Sequence, residues 1–217
     1  MLLAAMDKHQ AILLIGPTGS GKTPLGVMLA ERGLAGRQCR HFDFGRHLRT
    51  VESGELAVES LTSPERAVIS DSLRTGALLT DEQFPIASKL LVTFLREPDI
   101  TPDDLVVLNG LPRHVGQARS LQSLLEVSLV VYLSCGADVI WARIATNVGG
   151  DRAGREDDNI ESVRNRLGIF ERNADSLIDF YRDKVNVITM KIAADTSARQ
   201  AWQSLNLHYE NLLQRKQ

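Results

Sequence analysis

An apolar run at residues 11–15 (AILLI) leads directly into Gly16-Pro17-Thr18-Gly19-Ser20-Gly21-Lys22-Thr23, and a helical pattern follows. This strand–loop–helix order, with G-x-x-x-x-G-K-[ST] complete, constrains the fold more than any other feature of the chain. Gly16, Gly19 and Gly21, with Ser20 between the last two, let backbone N–H groups curl around phosphate oxygens, because no Cβ obstructs the turn. The helix behind the loop adds the positive end of its dipole. Lys22 supplies a point charge to a transferring phosphate, and Thr23 offers a hydroxyl to Mg²⁺. Pro24 is compatible with the first turn of that helix.

A loop of this kind is presented by a parallel sheet, and the rest of the chain supplies the strands. Further apolar runs lie at 105–108 (LVVL), 127–133 (VSLVVYL) and 185–190 (VNVITM), with a weaker fifth candidate at 39–44 (CRHFDF). Their continuous apolarity suits strands buried on both faces, and helical patterns separate them. Ile160, Val163, Leu167 and Phe170 form one apolar stripe. Asp158 and Glu161 have capping-box spacing, which places the helix start at Asn159. A closing helix is expected from Asp195 to about Leu213. Residues 45–98 hold helical pieces without a strong strand, and 147–157 (NVGGDRAGRED) have the composition of a short polar loop. The expected class is therefore α/β: a three-layer P-loop NTPase fold with a five-stranded parallel sheet and helices on both faces. One domain spans 1–217, carrying a helical acceptor-binding insertion at 45–98 and a short lid at 147–157.

Bulk composition excludes little but points nowhere else. Lys and Arg total 25 against 27 Asp and Glu, giving a net charge of −2, so no nucleic-acid or membrane partner is expected. Residues 1–10 (MLLAAMDKHQ) lack a basic start and break at Asp7 and Lys8, which argues against a secretory signal. Cys39 and Cys135, and the five histidines, have no metal-ligand spacing. A cytoplasmic protein is the expectation. Most basic residues are arginine, whose planar fork of donors grips phosphate in two places at once.

A second motif ends the 105–108 run: Asn109-Gly110-Leu111-Pro112-Arg113, with Gln117 four residues on. It resembles the Asp-Gly-Phe-Pro-Arg segment, followed by Gln, of the adenylate kinases and their nucleoside monophosphate kinase relatives. Gly45-Arg46-His47-Leu48-Arg49 is similar to that family's Thr-Gly-Asp-x-Leu-Arg, and residues 76–81 (GALLTD) to its Gly-x-Leu-Val-x-Asp turn. Arg143 matches the arginine before the lid, and Gly154-Arg155-Glu156-Asp157-Asp158 with Arg166 looks like the Gly-Arg-x-Asp-Asp segment and its later arginine.

The resemblance covers nearly the whole chain. It implies transfer of the ATP γ-phosphate to a nucleoside monophosphate, with Mg²⁺ and closing lobes, by a protein that is a monomer by default. The implied catalytic residues are Lys22, Arg113, Arg155 and Arg166. ATP falls to the loop residues with Arg143 and Arg152. The acceptor falls to Phe44, Arg49, Arg113 and Gln117, whose amide can read a base edge. The metal falls to Thr23, Asp43 and Asn109, directly or through water. The residues support this independently, since phosphoryl transfer needs positive charge on several sides of the transition state.

The chain also departs from the family. Asn109 stands where the family has Asp, and Asp43 at the end of the CRHFDF run is the carboxylate able to compensate. Phe44 replaces a small residue near the acceptor base, and Arg46 an acidic one. Lys22-Thr23-Pro24 stands where the family usually has Lys-Gly-Thr. Asn147 takes the place of a lid arginine, leaving Arg152 as its substitute, and the lid has no cysteine or histidine for zinc. Two alternatives therefore stay open: a P-loop kinase for another small metabolite, and a catalytically weak nucleotide-binding regulatory module.

Overall fold

A computed structural model describes residues 8–150 and 160–215. In chain order the elements are β1 (Gln10–Ile15), α1 (Lys22–Arg32), β2 (Cys39–Asp43), α2 (Phe44–Glu52), α3 (Ser63–Thr75), α4 (Phe84–Leu95), β3 (Leu105–Asn109), α5 (Val115–Leu121), β4 (Glu126–Ser134), α6 (Ala137–Thr146), α7 (Ile160–Arg182), β5 (Asn186–Lys191) and α8 (Ala198–Gln214). The five strands form one parallel sheet in the order β2-β3-β1-β4-β5.

Alternation along the strands builds two cores. Ala11, Leu13 and Ile15 of β1 face one side with Val106, Leu108 and Val130, packed under Leu48, Ile69, Leu90 and Leu177. Ile12 and Leu14 face the other, with Val107 and Val131, against Leu25 and Leu29 of α1 and Leu205 of α8. The side-chain period of two thus sends each strand to both layers, and its polar backbone is consumed by the ladders. Helix α1 lies close on the sheet because residue 26 is glycine. A Cβ there would come within 2.2 Å of the His41 ring. Burial lowers the pKa of that ring to about 4, which keeps it neutral in the core.

Three helices and no strand occupy residues 45–98, all of which are described. Helix α3 starts at a capping box: the Thr62 hydroxyl accepts from the Glu65 N–H, and the Glu65 carboxylate accepts from the Thr62 N–H. Two expected boundaries move. Strand β2 stops at Asp43, because its carboxylate accepts the Arg46 N–H and caps α2, which Phe44 opens. The closing helix begins at Ala198 rather than Asp195, since Ser197 and Gln200 form the capping box there. The expected start of α7 at Asn159, its Asp158 cap and most of the lid loop lie outside the described residues. Among the described residues, no helix is long and apolar enough to cross a membrane.

Candidate active site

The crevice at the C-terminal ends of β1, β2 and β3 is where an open parallel sheet binds ligands. The loop after β1 forms its floor, with Gly16, Gly19, Gly21, Lys22 and Thr23 on the cavity wall. Two glycines there are sterically required. A Cβ on Gly16 would lie 2.8 Å from the Leu133 carbonyl, and Gly21 caps α1 at φ 95°, in left-handed space. Lys22 Nζ donates to the carbonyls of Gly16 at 2.6 Å and Pro17 at 2.7 Å, so the ammonium is held over the loop's own backbone.

Guanidinium groups approach this floor from three separate elements. Arg49 comes from α2, Arg113 from the turn after β3, and Arg166 from α7. Arg113 Nε donates to the Gly110 carbonyl at 2.9 Å, which fixes its direction. Burial pushes its pKa down, the nearby Arg166 pushes the same way, and Asp43 opposes them. Two guanidiniums close enough to repel make a receptor for an anion.

Thr23, Asp43 and Asn109 meet at one corner. The Thr23 hydroxyl donates to Asp43 Oδ2 at 2.7 Å, and Asn109 Nδ2 donates to Thr23 Oγ1 at 2.9 Å and to Asp43 Oδ2 at 2.8 Å. Burial raises the Asp43 pKa, but the Arg46 N–H, the Thr23 hydroxyl and nearby His41 and Arg49 outweigh it, leaving the carboxyl below its usual range. A hydroxyl and an ionised carboxylate are hard oxygen donors, and such a pair fits Mg²⁺, which keeps several waters of its own.

Four expected site residues stand elsewhere. Phe44 is buried in the core with its ring centroid 6.3 Å from that of Phe42, off the cavity wall; opening α2 at residue 44 turns it inward. Gln117 is also buried: its Oε1 accepts the Arg113 N–H at 2.8 Å and its Nε2 donates to the Leu79 carbonyl at 3.0 Å. Its amide is thus committed to backbone on both sides rather than presented to a base. Arg143 is buried behind the loop, donating to the carbonyls of Gly19 at 3.0 Å, Ala193 at 2.9 Å and Thr196 at 2.8 Å. It braces the loop against the β5–α8 connection. Ser20 is buried beneath the loop, off the cavity wall. Arg152 and Arg155 lie outside the described residues.

Around the expected Arg166, an apolar wall was not foreseen as part of the site. Arg166, Ile169, Phe170, Ala174 and Leu177 present a single face of α7 to the cavity, opposite Leu48 of α2 and residues 76–78 after α3. Their three- and four-residue spacing is visible in the sequence, but the same spacing also describes plain core.

Moving a phosphoryl group asks for a backbone cradle and cations around the spreading charge, and the cavity brings both together. The chain is an ATP-dependent phosphotransferase of the P-loop class.

Comparison with known proteins narrows the class. The chain is 32% identical over 179 residues to an adenylate kinase of Xanthomonas campestris pv. campestris (strain B100), a match covering 80% of this chain and 86% of that protein. It is 27% identical over 211 residues to adenylate kinase isoenzyme 5 of Homo sapiens, covering 95% of this chain but 34% of that protein, so it spans about a third of that relative. A gluconokinase from Sinorhizobium meliloti 1021 shares the fold, with a TM-score of 0.53 at 18% identity over 96% of this chain and 98% of that one. No family model matches. The chain belongs to the adenylate kinase family.

Proposed function

We propose that the protein transfers the γ-phosphate of ATP to the phosphate of a nucleoside monophosphate. The convergence of Arg49, Arg113 and Arg166 on one cavity, facing the loop that carries Lys22, supports this reading. An acceptor surrounded by three guanidiniums is an anion, and a nucleoside monophosphate is the anionic acceptor that the relatives' names suggest.

In this reading the loop N–H groups and Lys22 hold the donor phosphates, while Arg49 and Arg113 hold the acceptor phosphate. Arg166 lies between the two. An acceptor phosphate is already anionic, so no general base is needed, and rate comes from positioning and charge. Thr23 and Asp43 would hold Mg²⁺, which when bound neutralises charge on the phosphate oxygens. The apolar face of α7 with Leu48 and Leu73 keeps water away and receives the acceptor's body. The segment 45–98 is read as the acceptor lobe and 147–157 as the lid, with Arg152 and Arg155 assigned to the phosphates.

The test is ADP release from Mg–ATP with AMP, GMP, CMP and UMP in turn, beside a Lys22→Ala control. Turnover with at least one monophosphate, lost in the control, is expected. Turnover confined to a phosphate-free metabolite would replace this reading with the alternative kinase.

A further inference from the structure

Asp43 is the one acidic side chain on the cavity wall among the described residues. It stands at the end of β2, directly across the ladder from Asn109 at the end of β3. Both are buried, at 7% and 4% exposure, and both touch the Thr23 hydroxyl. Two neighbouring strand ends therefore share one carboxylate.

The hydrogen bonds settle which way the Asn109 amide faces. An ionised Asp43 only accepts, so the Asn109 atom 2.8 Å from its Oδ2 is the NH₂ group. That group also donates to Thr23, and Asn109 thus turns donors into the corner where a cation would sit. Asn109, expected to serve the metal directly or through water, presents nitrogen rather than oxygen there. Nitrogen donors there repel a cation, whereas they hold a carboxylate in place.

We propose that the carboxylate organising the divalent cation and its waters in this kinase is Asp43, on β2, and that Asn109 on β3 is the positioning residue that aims it. The arrangement pairs a charged residue with a neutral one at the same corner, and exchanging the two retains the corner's charge. The inference rests on the phosphotransferase reading for the donor nucleotide alone, and the acceptor does not enter.

The competing role for Asp43 is structural, since its Oδ1 caps α2 by accepting the Arg46 N–H at 3.0 Å. Asp43→Asn retains an oxygen for that cap and removes the charge. The measurement is calorimetric titration of the full chain with ADP, once with Mg²⁺ and once with EDTA, so that acceptor chemistry and turnover play no part. Mn²⁺ bound with ADP, followed by electron paramagnetic resonance, gives a second view of the metal.

For the original chain, Mg²⁺ tightens ADP binding. D43N is expected to lose about tenfold or more of that gain, the scale found when a group supporting a bound metal is removed, with EDTA affinity unchanged within about twofold. The exchange variant D43N/N109D is expected to recover most of it and to restore the Mn²⁺ spectrum. The proposal is overturned if D43N keeps the full Mg²⁺ gain, or if it loses affinity equally with and without the metal, as a cap would. An original chain whose ADP affinity ignores Mg²⁺ would overturn it as well.

Discussion

The side-chain amide of Gln117 accepts the backbone N–H of Arg113 at 2.8 Å, so a buried residue in the first turn of α5 sets the path of the loop that carries Arg113 to the cavity. Through its other end the same amide donates to the Leu79 carbonyl, tying that loop to the connection between α3 and α4.

Replacing Gln117 with Leu fills similar volume but leaves the Arg113 N–H without its acceptor. A buried group left unpaired costs about 1–3 kcal/mol, which urea unfolding should register. The acceptor KM should rise more than kcat falls, because the loop loosens while the chemistry-bearing groups remain. An unchanged acceptor KM would remove Gln117 from the positioning of Arg113.

Arg143 and Lys22 both touch loop carbonyls, yet their removal should look different. Arg143→Ala removes a buried guanidinium that ties part-buried carbonyls on two segments together, so it should lower the melting temperature and weaken ATP binding together. Lys22→Ala should leave melting nearly unchanged while turnover falls by about 10²–10³ or more, the scale for losing a charge aimed at the transition state. Thermal melts and ADP-release rates on both variants separate the roles.

Arg166 should answer to shape as well as charge. Its guanidinium lies near enough to Arg113 to push that residue's pKa down, a repulsion that a bound anion relieves. Arg166→Ala should abolish most of the thermal stabilisation gained from ATP plus acceptor. Arg166→Lys should restore only part of it, since an ammonium lacks the two-pronged grip. Full recovery by lysine would reduce Arg166 to a general source of positive potential.

The contact between α3 and α4 should be acid-sensitive. Lys89 first, and then the Thr62 N–H, hold Glu65 at about 2, below its ordinary value of 4.5. The folded state favours ionised Glu65, so this contribution is complete above 4.5 and fades as pH falls towards the folded value. Lys89→Met should lower the melting temperature at neutral pH by about 2–4 °C, for a pair worth about 1 kcal/mol at most. It should also shrink the loss seen in the original chain on acidification. Equal acid slopes in both would show that the bridge contributes nothing.

Strands and loop were legible in the sequence because their signals are local. Continuous apolarity marks a strand buried on both faces, and G-x-x-x-x-G-K-T marks the turn that follows. Even the weak fifth run, at 39–44, is a strand through Asp43. What sequence did not disclose was direction. Gln117 and Arg143 carry the residue types of a binding site, but burial commits their polar groups to backbone carbonyls and N–H groups. Phe44 sits beside a site residue and still points into the core, because the Asp43 cap starts a helix at that step. The α7 wall was hidden for the opposite reason: the helix period reads the same whether the face meets a core or a cavity.

The most direct test follows the labelled γ-phosphate of ATP through one turnover with Mg²⁺ and a mixture of nucleoside monophosphates. Transfer to a nucleoside monophosphate puts label in a nucleoside diphosphate, and none there when Lys22 is alanine. Label appearing only as inorganic phosphate, or remaining on ATP that the protein demonstrably binds, would contradict it.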